Sequence, residues 1–288
     1  LSDALVENNS IWLGNDPSGT TDTASNNVAL GTTALDAITT GDSNIAIGYN
    51  ALTANTTGSS NVFVGSHSGN AITTGGTNTA VGHYALDVAT TVDSITAVGS
   101  NALGSLHNGV YNNGLGYQAG TAVTTGTANV FMGYNAGLAV TTGTTNVLIG
   151  STSGDAITTS SGNICIGVDA GGNITTAGSG GNIAIGNYAQ QHNQTGYRNV
   201  AVGSTSGGGT GNYNTSVGYG AFAANDSGGQ NTCIGDAAGA AITTGGQNTA
   251  VGYAALDANT TASGHVAVGS NALGANTTGT DNTAVGEN

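Results

Sequence analysis

A glycine returns every seventeen residues along almost the whole chain, at 14, 31, 48, 65, 82, 99, 116, 133, 150 and 167, then at 186, 203, 218, 235, 252, 269 and 286. A short fixed period marks a solenoid, in which each repeat is one turn of a coil and packs only on its neighbours. The expected fold is all-β: a narrow parallel β-solenoid of about sixteen 17-residue coils running over 10–288, with 1–9 as a lead-in or N-terminal cap. Sixteen intervals at the ~4.8 Å strand spacing would make a rod of roughly 77 Å.

With the recurring glycine as position zero, the residue before it is aliphatic or Met, as in Leu13, Leu30, Ile47, Val81, Leu115 and Met132. Two places earlier stand mostly β-branched residues, such as Ile11, Val28, Ile45, Val62 and Thr79. The residue between is usually Ala. Period-two patterning with high β propensity predicts a short strand. The aliphatic column is expected to line the core. The Ala column, which also holds Cys165 and Cys233, is then expected to face outward. Trp12, Phe63, Phe131 and Leu148 interrupt that column, and a continuous exposed apolar stripe marks an interface. They are therefore candidate trimer-interface residues.

Volume is exchanged between two further columns. Leu52, Leu86 and Phe222 at the fourth place after the glycine are followed by small or polar residues at the seventh, Asn55, Ala89 and Asn225. Gly69, Gly120 and Gly154 are followed instead by Ile72, Val123 and Ile157. Close packing requires constant volume, so both columns belong to one core layer. Leu35 with Ile38 and Leu103 with Leu106 break the rule by being large at both places. Asn stands four before the glycine in most coils and is expected to form a hydrogen-bonded ladder. A Thr-Thr-Gly element closes the other end, its Gly supplying positive φ. Two turns in seventeen residues leave room for two short strands per coil.

The rhythm breaks once. The interval from Gly167 to Gly186 is nineteen residues and that from Gly203 to Gly218 is fifteen. Insertions in repeats map to surface loops and to binding faces. His192, Tyr197 and Arg198, between the two irregular intervals, are candidate contact residues. A second candidate surface is the column after the glycine: Tyr49, His83, Tyr117, Tyr134, Tyr219 and Tyr253. Tyr presents an apolar ring with a polar tip, suited to sugars or to a protein partner. The chain begins without Met and stops mid-coil at Glu287-Asn288, so more protein is expected to follow it.

Charge excludes some partners. The formal charge is −14 and Arg198 is the single Lys or Arg, so nucleic acid and anionic membrane are not expected partners. No apolar run is long enough for membrane insertion as a helix. Cys165 and Cys233 lie four coils apart, roughly 19 Å, too far for a disulfide. No nucleophile–base pair, carboxylate pair or metal-ligand spacing emerges. No cofactor, metal or catalytic residue is expected, and the five histidines, in five different columns, are expected at the surface.

Written out, the repeat Asn-Thr-Ala-Val-Gly-Tyr-x-Ala-Leu-x-x-Asn-Thr-Thr-Gly resembles the β-roll repeats in the heads of trimeric autotransporter adhesins. It is still more similar to the Gly-rich repeats of bacteriophage tail fibres and tail spikes, which often precede an intramolecular chaperone domain. The resemblance covers about 10–286 and transfers no catalytic residue. It implies a side-by-side parallel homotrimer, with the Ala column toward the threefold axis, in an extracellular or virion setting. The expected role is structural and adhesive, attaching to a host-surface glycan or protein, and not enzymatic. A self-assembling filament and a secreted carbohydrate- or ice-binding solenoid are the alternatives.

Overall fold

The computed structural model describes residues 4–14, 21–175 and 180–287. The protein is a parallel β-solenoid of about sixteen coils, without a helix among these residues. It divides into two compact units, Leu1–Thr144 and Thr145–Asn288. The first unit opens with an antiparallel hairpin of β1 (Ala4–Glu7) and β2 (Ser10–Leu13), pairing Leu5 with Trp12 and Val6 with Ile11. Its turn is made by Asn8 and Asn9, both left-handed with φ of 45° and 58°, as a tight hairpin turn demands. The N-terminal segment thus lies along the first coil as an extra strand.

After β2 each coil contributes one three-residue strand, such as Val28–Leu30, Ile45–Ile47 and Val62–Val64 in the first unit. These pair in parallel with the seventeen-residue register, for example Val28↔Ile45 and Ala29↔Ala46. Each coil therefore holds one strand where the sequence suggested two. Left-handed backbone forbids the second: the second and fourth residues after the glycine have positive φ, as in Asn50 (56°), Leu52 (53°), Tyr84 (54°) and Leu86 (54°). The amides of these corners bond alternately backward and forward, Asn50 N to Thr32 O (3.2 Å) and Leu52 N to Ser68 O (3.0 Å), so the bent half is stitched to both neighbouring coils.

The sidedness of the strand is the reverse of the sequence expectation. The mid-strand residue points inward: Ala29, Ala46, Ala80, Ala97, Cys165, Ala184 and Cys233 are buried. Trp12, Phe63, Phe131 and Leu148 are also completely buried, inside their own chain. They are core residues and cannot form a trimer interface. The flanking aliphatic columns face outward, with Leu30 45%, Met132 42% and Ile45 37% exposed. The reason is the width of the coil. The bent half lies so close behind the strand that Ala is the usual residue that fits between them. Larger side chains enter where the corner opposite is glycine, as Phe63 with Gly69, Leu148 with Gly154, Cys165 with Gly171 and Cys233 with Gly239.

The volume exchange between the fourth and seventh columns is present as expected, since Leu52, Ile72, Leu86, Val123, Ile157 and Phe222 are all buried. It is a three-column exchange, with the mid-strand residue as the third partner. This resolves one exception. Leu103 and Leu106 are both large and both buried, and Leu103 is admitted by Gly114 in the next strand, where a Cβ would come 3.0 Å from Leu103 Cγ.

The Asn column is a buried ladder. Asn44 Nδ2 donates to Asn27 Oδ1 (3.1 Å) and to Gly58 O (2.9 Å), and Asn44 Oδ1 accepts from Asn61 N and Asn61 Nδ2 (3.1 Å each). Each Asn thus links consecutive coils and ties the start of its own coil to its Thr-Thr-Gly turn. The Gly of that turn does not supply positive φ. The left-handed residue lies just before the Asn instead, as at Ser43 (58°) and Ser60 (61°). Turn Gly41 is required for space: a Cβ there would meet Ile38 Cδ1 at 2.7 Å. The recurring glycine is doubly constrained, as at Gly31, where φ is 135° and a Cβ would lie 2.7 Å from Gly48 O.

Length changes are absorbed in turns. Across the nineteen-residue interval Ile164 still pairs with Ile183, and across the fifteen-residue interval Val200 still pairs with Thr215. Of the inserted glycine-rich run, Gly178 and Ser179 lie outside the described residues, as do 1–3 of the N-terminal segment and Asn288 at the chain end.

Candidate interaction surfaces

Strand alternation and the narrow core together produce an outward sheet face in each unit. In the first unit its two mainly aliphatic columns run Ile11, Val28, Ile45, Val62, Thr79, Thr96, Asn113 and Val130, and Leu13, Leu30, Ile47, Val64, Val81 and onward. Neither column holds a charged residue in either unit. In the first unit, eight parallel strands at ~4.8 Å and three outward columns ~7 Å apart make a face on the order of 800 Å². Isolated exposed aliphatics are ordinary, but a contiguous face of this size marks a contact surface.

The column after the recurring glycine flanks these two and carries the aromatic candidates. Tyr49, Tyr117, Tyr134, Tyr219 and Tyr253 are all exposed, at 47–66%, and His83 is exposed too. In the first unit Tyr117 and Tyr134 stack, with centroids 5.5 Å apart and planes 10° apart. Tyr49 packs edge-on against His67 (5.2 Å), which also lies 4.9 Å from the Tyr84 ring, itself 4.0 Å from His83. His67 and Tyr84, which the sequence reading did not single out, complete this aromatic cluster. Asp87 lies near it. Burial raises its carboxyl above the usual range, and the charges of His67 and His83 oppose the shift.

In the second unit the irregular intervals bring a different set together. Tyr197 and Tyr213 meet edge-on with centroids 5.2 Å apart, and the Arg198 guanidinium lies 5.8 Å from the Tyr213 ring centroid. Interaction between the two phenol hydroxyls pushes Tyr197 up and Tyr213 down from the ordinary phenol range. These residues line an open trough of about 660 Å³ with Thr159, Ser160, Ser161 and Gly180. A second trough of about 550 Å³ continues from Tyr213 past Asn212, Gln230 and Gln247. His192 is exposed but lines neither trough. Tyr213 was missed in the sequence because the shortened coil places it fifteen residues from Arg198, off the regular beat.

His265 departs from the surface expectation. It is fully buried, because it takes an Asn position in the ladder. Its backbone N donates to Asn248 Oδ1 (3.0 Å) and its Nδ1 accepts from Asn282 N (3.3 Å). Among the described residues no group of three His, Cys, Asp or Glu side chains is placed to hold a metal ion. Cys165 and Cys233 are buried and free. No protein-family model matches this chain, and no curated protein or solved structure matches it.

Proposed function

We propose that this chain is a structural and adhesive fibre segment, a β-solenoid that associates as a parallel homotrimer and serves attachment to a host surface, as in a phage tail fibre or a surface adhesin. The observation that carries the reading is the uncharged aliphatic face on the outside of the strands. With the flanking column that carries the Tyr residues included, its estimated area, on the order of 800 Å², is what each partner contributes to a stable interface. The resemblance of the repeat to tail-fibre and adhesin-head repeats supports three copies. The interface then consists of Leu30, Ile45, Val81, Met132 and their column neighbours, in place of the buried aromatics. The exposed Tyr column at its margin fits the aromatic enrichment of contact surfaces. Weak contacts repeated along such a surface add through multivalency.

Light scattering coupled to size exclusion tests the assembly. The expected result is a mass of three chains for the native protein and one chain for the double variant Leu30→Glu/Val81→Glu. A monodisperse native monomer overturns the trimer. Binding of fluorescently labelled protein to a panel of bacterial cells tests attachment, and absence of binding to every strain counts against it.

A further inference from the structure

We propose that the Arg198 trough of the second unit binds a carboxylate-bearing saccharide, the guanidinium pairing with the carboxylate and the Tyr213 ring packing on the sugar. The proposal gives the attachment reading a ligand class and rests on it only for biological use.

Four observations converge. Arg198 is the one Lys or Arg in a chain of formal charge −14, and it stands between the two irregular intervals. It is exposed. Its planar fork matches a carboxylate bidentately, a geometry that Lys does not offer. Second, the trough lining contains one cation and no acid, although the chain has fifteen acids. Third, the remaining lining is hydroxyl and backbone with two Tyr rings, the mixture of aromatic faces and oriented polar groups that holds sugar rings. Fourth, the two places that precede Arg198 in its column are Gly162 and Gly181, where most coils carry a side chain, so no side chain stands over that flank of the arginine. The Cβ position of Gly181 lies 3.6 Å from Arg198 Cγ, in ordinary contact range of the arginine stem.

The ligand's charge follows from the same facts. A single cation in a strongly acidic protein suits one carboxylate per sugar and disfavours phosphate or sulfate chains, which need clustered cations. The second trough shares Tyr213 and offers amide groups from Asn212, Gln230 and Gln247. Gln247 Nε2 donates to Gln230 Oε1 (3.1 Å), which orders that amide pair. Together the two troughs extend along the coils and have room for an oligosaccharide rather than one sugar.

Uronic-acid oligomers and sugars ending in a nonulosonic acid share this chemistry. The test is saturation-transfer NMR on the full chain with tri-galacturonate, N-acetylneuraminyl-lactose, and the neutral controls maltotriose and lactose. Binding of either acidic ligand is expected with Kd on the order of 1 mM, and neither neutral sugar should bind comparably. Arg198→Gln should weaken it about tenfold, and Tyr213→Ala should weaken it as well, with unchanged thermal unfolding in both. Failure of both acidic ligands to bind, or equal binding by Arg198→Gln, overturns the site. Preference for one acidic ligand identifies the source. If the labelled protein adheres to cells and Arg198→Gln adheres equally, the site falls and attachment stands. If the acidic sugars bind but no cell is labelled, the site stands and attachment falls.

Discussion

A Cβ on Gly69 would overlap the ring of Phe63, which is fully buried in the same coil. Gly69 also sits at φ 60°. Gly69→Ala should therefore cost about 1–2 kcal/mol for left-handed backbone and about 1–3 kcal/mol for overpacking. Gly220, with φ 62° and nothing within 4 Å of a built Cβ, isolates the backbone term. Gly220→Ala should cost only the first amount. Adding Phe63→Ala to Gly69→Ala should remove the overlap, so the double variant is expected to lose about 1–3 kcal/mol less than the sum of the singles. Urea unfolding at one fixed protein concentration measures all four. Strict additivity would show that the two residues do not share one space.

The Asn ladder should be worth more than its exposed Thr counterpart. Asn44 takes part in four buried side-chain hydrogen bonds, two donated and two accepted. Asn44→Ala leaves Asn61 N without that acceptor in a buried place, at a cost of about 3 kcal/mol. Thr73 Oγ1 donates a single bond, to Thr90 O (3.1 Å), at an exposed site. Thr73→Val should change stability by less than about 1 kcal/mol. Similar losses in the two variants would remove the ladder from its proposed place in holding the stack.

Much of this fold is legible in the sequence because each coil repeats the same constraints. The glycine beat fixes the register, and the observed pairs follow it, as Ile45↔Val62 does. The column of Asn gives the ladder, and the exchange of Leu52 against Ile72 locates the core layer. The inside and outside of the strand were not legible. Large aliphatic residues ordinarily point inward, but here the interior between strand and corner is only wide enough for Ala29 or Ala46. The clue was available in the pairing of Phe63 with Gly69, since a large residue matched to a glycine six places on implies that the two face each other. The Tyr197–Arg198–Tyr213 group was half legible. Arg198 stood out by its charge, whereas Tyr213 is brought beside it only by the fifteen-residue interval.

His265 shows how a substitute functions in the ladder. It uses Nδ1 in place of the Asn oxygen, but its Nε2 is buried without a hydrogen-bond partner. In the coil before it, Asn248 Nδ2 donates both to Asn231 Oδ1 and to Ala262 O (3.1 Å each). His265→Asn restores a donor of this kind toward Asn248 and the turn at Gly279. It should raise the unfolding free energy by about 1 kcal/mol. A loss of stability would mean that the imidazole ring supplies packing that outweighs its unpaired nitrogen.

The two thiols should make the fold sensitive to alkali. Burial pushes both Cys165 and Cys233 up to about 12 from an ordinary 9.0. The folded value lies above the unfolded one, so the unfolded chain releases these protons first as pH rises. Stability is then complete below pH 9 and falls between about 9 and 12, by about 1.4 kcal/mol per pH unit for each thiol. Other groups that titrate in this range are the same in wild type and in Cys165→Ala/Cys233→Ala. The difference between the two urea midpoints at pH 7, 9 and 10.5 therefore isolates the thiols. It should shift slightly in favour of the variant between pH 7 and 9, by about 0.8 kcal/mol for the two thiols half-ionised in the unfolded chain, and much further at 10.5. Neither thiol should react with a disulfide reagent at pH 8 in the folded protein, and both should react in denaturant. Rapid labelling of the native protein, or a pH-independent difference, would show that these side chains are reached by water.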